Sequence, residues 1–201
     1  FTMLEVYWAY KDYNDMMKLT EDLICFLVKK LNGSFKVNYQ GNVIDFNKPW
    51  RKMTMYEALK RFANIDVEKL NDEKIKRLLK ENKIELLKYD KGWAINYLFE
   101  ELVEKKLIQP TFITDYPKET TTLCKVKRGN PDLIERFELF INGQELANAY
   151  SELNNPLVQY KLLKEQEEER KTGDEEANPM DKDFVRALEH GMPPAGGLGI
   201  G

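Results

Sequence analysis

Glu135-Arg-Phe-Glu-Leu-Phe-Ile-Asn-Gly-Gln-Glu-Leu-Ala-Asn-Ala-Tyr-Ser-Glu-Leu-Asn154 is the stretch whose reading decides the fold. Asn142-Gly143 is a strong hairpin signal, because a type I′ turn needs positive φ at both central residues. A two-residue turn there sets Ile141 against Gln144, Phe140 against Glu145 and Glu138 against Ala147. Side chains alternate along a strand, so Glu138 and Glu145 share one face as diagonal neighbours. Such neighbours lie roughly 7–8 Å apart at the backbone and closer at the side chains. Two carboxylates so placed can hold one hard divalent cation, above all one already bound to phosphates. The same spacing is also that of a solvated strand face, so spacing alone assigns no ligand.

Working outward from the hairpin, residues 1–10 are rich in aromatic and β-branched types and predict a strand. Met16, Leu23, Leu27 and Leu31 recur at helical spacing, and Asn32-Gly33 supplies the stop. A short hairpin over 34–39 and 43–46 turns at Gln40-Gly41-Asn42 and ends at Pro49-Trp50. Thr54-Met-Tyr-Glu57 is a capping box that opens a helix to about Phe62. Residues 72–88 and 92–106 read as helices, the second burying Trp93, Leu98 and Leu102, and Thr111–Tyr116 as a strand ended by Pro117. Pro156 suits the first turn of a helix to about Lys171. Residues 172–179 read as a mobile loop, and Asp181 caps a last helix ending at Gly191.

Composition narrows the function classes. Lys+Arg 31 against Asp+Glu 34 gives a net charge of −3, so no overall basic field advertises nucleic-acid binding. Hydrophobic content of 42% and charged content of 32% describe a globular chain long enough to bury a sizeable core. Cys25 and Cys124 are far apart and the chain has 1 His, which supplies neither a zinc pattern nor a Cys–His nucleophile. Cys25 lies in the apolar run Leu23–Val28, a core segment too short to cross a membrane, and no signal peptide opens the chain. The cytoplasm is the expected compartment.

Glu135–Glu138 followed by Gln144–Asn154 resembles the signature of class II lysyl-tRNA synthetases. The likeness extends along the chain. Phe1–Tyr10 resembles the second half of that family's motif 2, and Leu107–Pro117 the strand after its helical insertion. Ala187–Pro194 and Gly197–Gly201 resemble the approach to motif 3. The resemblance implies an α+β class II catalytic domain over 1–201, an antiparallel sheet flanked by helices, with a helical insertion at 51–107. It implies a lysine–tRNA ligase that forms lysyl-adenylate from ATP and transfers lysine to tRNA(Lys), in a cytoplasmic homodimer away from any membrane.

The same resemblance assigns residues. Phe1 would stack on adenine, although a core Phe looks identical in sequence, and Gly201 would lie against ATP. Glu138 and Glu145 become carboxylates that place Mg2+ on the ATP phosphates. Glu5, Tyr7, Asn148, Tyr150 and Glu152 become the lysine-binding set. Strict alternation puts Asn148, Tyr150 and Glu152 on the face opposite Glu145, so a β-bulge near Ala147 is required to unite them. Tyr150 stands where many relatives carry Phe, and Thr120-Thr-Thr-Leu123 lacks the proline usual before that leucine. The α-phosphate arginine of motif 2, the motif 3 arginine, motif 1 and the anticodon-binding barrel are missing, so a fragment without activity of its own is expected. Two other readings are a paralogue that lysylates a protein and a binding-only synthetase fragment. His190 reads as a structural hydrogen-bonding residue or a general base.

Overall fold

Residues 2–171 and 179–201 are described by a computed structural model. The expected loop at 172–179 therefore lies almost wholly outside the described residues, as does Phe1. Strand β1 (Leu4–Ala9) leads to Asp12, whose carboxylate accepts from the Asn14 amide while the Asp15 side chain accepts from the Asp12 amide. This capping box starts helix α1 (Tyr13–Asn32), and Gly33 at φ 67° ends it in the left-handed conformation. The hairpin β2 (Lys36–Tyr39) and β3 (Asn42–Asp45) follows as expected.

Three boundaries differ from the sequence reading. Residues 51–54, within the stretch expected to be helical, form strand β4 (Arg51–Thr54), paired parallel with β5 (Thr111–Thr114), and helix starts only at Met55. A parallel pair needs a long crossover, and the pairing partner lies too far along the chain to leave a local signal. Helix α2 (Met55–Ala63) has the expected Thr54 capping box. Helix α3 (Asp72–Glu81) ends early, at Asn82 and the left-handed Lys83, instead of reaching 88. Helix α4 (Lys91–Leu102) gives way to a 3₁₀ turn at Glu104–Lys106. Leu98 is in the core as expected, whereas Trp93 is exposed, tilted against Tyr97 with ring centroids 5.9 Å apart.

The remaining elements are β6 (Val126–Lys127), β7 (Asn130–Ile134), β8 (Arg136–Ile141), β9 (Gln144–Ser151), α5 (Pro156–Lys171), α6 (Lys182–Glu189) and β10 (Ala195–Ile200). The small β6–β7 hairpin was not expected from sequence. The main sheet has the order β1-β10-β9-β8-β5-β4 and is antiparallel except at β4–β5. One face packs Phe112, Phe137, Leu139, Ala147, Ala149 and Leu198 against α1. Gly196 lets α1 come this close, since a Cβ there would stand 3.0 Å from the Asp12 carbonyl oxygen. The other face packs Ile113 and Phe140 under α2–α4, with Phe99 edge-on to Phe140 at 5.5 Å. Glu135 ties the hairpin base to α1: it is buried, accepts from Ser151 Oγ at 2.6 Å and pairs with Arg128, and Ser151 Oγ accepts from the Tyr13 amide.

Candidate active site

Asn142 and Gly143 have φ of 54° and 69°, the paired left-handed residues that the Asn-Gly turn demands. Ile141 faces Gln144 and Phe140 faces Glu145, as the two-residue turn requires. The register then shifts. Leu139 faces Ala147, and Glu138 faces Asn148 rather than Ala147. Leu146 is the extra residue of a β-bulge, inside the interval where alternation and a shared site conflict. The bulge turns the strand so that Glu145, Asn148 and Tyr150 occupy the face shared by Glu138 and Arg136.

Two adjacent rungs cross this face. Glu5, Gly199, Asn148 and Glu138 are Cα partners in one; Tyr7, Gly197, Tyr150 and Arg136 are partners in the next. Helices α2–α4 cover the β5–β8 side, and the face opens toward β1, where Glu5 and Tyr7 are exposed. A cleft with a closed end and an open end results.

At the closed end, Arg136 donates to Glu138 at 2.5 Å and through Nε to Asn148 Oδ1 at 3.1 Å. Its guanidinium lies 4.7 Å from the centre of the Tyr116 ring, and the Tyr116 hydroxyl donates to Glu138 at 2.7 Å. Arg136 therefore fixes the Asn148 amide: with Oδ1 engaged, Nδ2 is left as the donor of that group. Burial, then the Glu138 charge, raises the Tyr116 hydroxyl well above its ordinary pKa. Solvent reaches Glu145, yet the crowding of its surroundings and then the charge of Glu138 push its carboxyl upward, with Arg136 opposing. Glu100 and Glu104, from α4 and the turn after it, are likewise raised, chiefly by burial and with the Glu138 charge contributing.

At the other end sits Glu152, 9% exposed. Its amide donates to the Ala195 carbonyl, and among the described residues no cation or hydrogen-bond donor engages its carboxylate. Burial alone pushes its carboxyl up to about 7. Tyr7 and Tyr150 flank it; both phenols are raised, first by burial and next by the Glu152 charge. Gly201 closes β10, its amide donating to the carbonyl of the bulge residue Leu146 at 3.1 Å. His190 is an exposed residue at the C-cap of α6, its amide donating to Ala187, and it belongs to neither rung.

The family model for tRNA synthetases class II (D, K and N) matches residues 1–201. The chain belongs to that family. Among similar proteins, the lysine–tRNA ligase of Saccharolobus solfataricus is 53% identical over 203 residues, covering 100% of this chain and 41% of that protein. The lysine–tRNA ligases of Clostridium novyi and Thermosipho africanus are each 51% identical, covering 100% of this chain and 40% of theirs. The chain thus spans about two-fifths of the length of these relatives.

For a class II synthetase the cleft is instructive in what it unites. Of the residues predicted from sequence, Glu5, Tyr7, Glu138, Glu145, Asn148 and Tyr150 share one sheet face, and Glu152 continues that alternation just beyond β9. Among the described residues no group of three or more His, Cys, Asp or Glu is arranged to hold a metal. Glu138 and Glu145, two carboxylates on one face, could hold a hard cation only where it brings its remaining oxygen ligands with it. Sequence reading gave no role to Arg136, although alternation places it beside Glu138 on the same face. Tyr116 and Glu100 had no such local signal, because long-range packing brings them to the hairpin.

Proposed function

We propose that the full-length protein containing this chain is a lysine–tRNA ligase, with this cleft as its lysine and ATP site. The observation that carries the reading is Glu152, a buried residue between two tyrosines whose carboxylate meets no cation among the described residues. An unpaired buried charge is expensive, so such a group fits a ligand that brings the opposite charge. A primary ammonium at the end of an aliphatic chain supplies it. Tyr150 walls the chain, Tyr7 and Glu5 help Glu152 hold the ammonium, and Nδ2 of Asn148 is a donor for the α-carboxyl end.

The reaction begins when the lysine carboxylate attacks the α-phosphorus of ATP, forming the mixed anhydride and releasing pyrophosphate. A terminal ribose hydroxyl of tRNA(Lys) then attacks the anhydride carbonyl, and AMP leaves. Mg2+ bound with ATP would neutralise phosphate charge. Glu138 and Glu145 would hold it, with Arg136 and Tyr116 fixing the Glu138 carboxylate. Phe1 and Gly201 complete the ATP side in this reading. No side chain acts as nucleophile; positioning and charge stabilisation supply the rate. A cytoplasmic homodimer belongs to the same proposal. Among the described residues no helix is long and apolar enough to cross a membrane.

The test is lysine-dependent pyrophosphate exchange in the full-length protein. Glu152→Gln keeps the size and removes the charge, and is expected to cost on the order of 2–5 kcal/mol in lysine binding with little change in ATP affinity. Unchanged lysine kinetics would remove Glu152 from the role.

A further inference from the structure

Glycines at 196, 197 and 199 fall within one strand, and the space around each differs. Gly197 does not have positive φ, so its backbone conformation is open to any residue. What it lacks is room. A Cβ built there overlaps the Glu152 Oε1 atom, stands 3.0 Å from Glu152 Cδ and 3.3 Å from Tyr7 Cε1. All three of these neighbours are side-chain atoms. Gly199, two residues on and on the same face, meets only the tip of Met3 at 3.2 Å and the Asn148 carbonyl oxygen at 3.9 Å. Gly196 faces the other way and serves the packing of α1.

We propose that Gly197 is a specificity-determining residue of the amino-acid site: the space of its missing side chain is the seat of the Glu152 carboxylate. The inference rests on reading Glu152 as the ammonium acceptor. Tyr7 and Tyr150 are the cross-strand partners of Gly197 on either side. The carboxylate therefore lies back onto bare backbone in the middle strand, with an aromatic ring on each flank. This seat sets both the depth of the cleft and the position of its charge. Any side chain at position 197 displaces the acid from the floor, so a cationic chain of lysine's length no longer meets a fixed charge at its end. A hydrogen-bonded charge pair tolerates such misplacement poorly, since selectivity depends on the fixed geometry of the acceptor.

The experiment is a double-mutant cycle in the full-length protein, read by pyrophosphate exchange with L-lysine and ATP varied separately. Gly197→Ala is expected to raise the KM for lysine by roughly tenfold or more while leaving the KM for ATP within about twofold. In the Glu152→Ala background there is no acid to displace, and adding Gly197→Ala is expected to change lysine kinetics by less than about twofold. Equal effects of Gly197→Ala in both backgrounds would overturn the inference, as would a Gly197→Ala enzyme with unaltered lysine kinetics. Should Gly197→Ala alone lose ATP binding with its fold, the double variant decides: restored ATP binding supports the shared space, and continued loss overturns it. If Glu152→Ala itself leaves lysine kinetics intact, the ammonium-acceptor reading falls and the Gly197 inference falls with it. A lysine defect in Glu152→Ala without one in Gly197→Ala refutes only the latter.

Discussion

Removing the charge of Glu152 should stabilise the protein that it disables. Glu152 as a whole residue is 9% exposed, and burial alone pushes its carboxyl up to about 7. Against an unfolded value of about 4.5, that rise corresponds to about 3 kcal/mol of disfavoured charge. Solvent entering from the open end of the cleft screens it, leaving about 1–3 kcal/mol. The sign follows from proton counting. Between about pH 4.5 and 7 the folded state holds this proton more tightly than the unfolded state, so rising pH costs stability across that window. Above about 7 both states are ionised and the penalty is constant. Glu152→Gln removes it. In full-length protein without lysine, the variant should melt about 3–10 °C above wild type at pH 8, given a few degrees per kcal/mol for a domain of this size. The gap should close toward pH 4.5. Parallel thermal melts of the two proteins across pH provide the assay. A variant that melts below wild type at pH 8, or a gap independent of pH, would refute the claim that this carboxylate is buried unpaired.

Lysine affinity should track the same group in the opposite sense, because protonation of Glu152 competes with the ammonium: the KM for lysine is expected to rise about tenfold from pH 8 to pH 6, and a flat profile would contradict it. Arg136→Lys retains a charge but cannot reach Glu138 and Asn148 together from one planar fork. It is expected to weaken lysine and Mg2+–ATP utilisation at once, seen as increases in both KM values; a change confined to one substrate would show that Arg136 does not join the two ends of the cleft.

Much of the architecture was legible because its causes are local. Asn142-Gly143 imposes its turn through backbone sterics, Thr54 caps its helix through its own hydrogen bonds, and Gly33 ends α1 by adopting a conformation other residues avoid. The side-chain alternation that sets Glu138 near Glu145 is equally local. Even the bulge had a sequence trace, as a conflict between period-two alternation and one shared site. Its placement at Leu146, however, is decided by the partner strand, since only the ladder with β8 shows which residue is unpaired. Packing at a distance settled the rest. The pairing of Arg51–Thr54 with Thr111–Thr114, the Tyr116 hydroxyl on Glu138, and the Glu152 carboxylate on Gly197 each join residues far apart in the chain. Local sequence sets conformations and faces; which faces meet, and how much room and charge they share, depends on contacts that form only when the sheet closes.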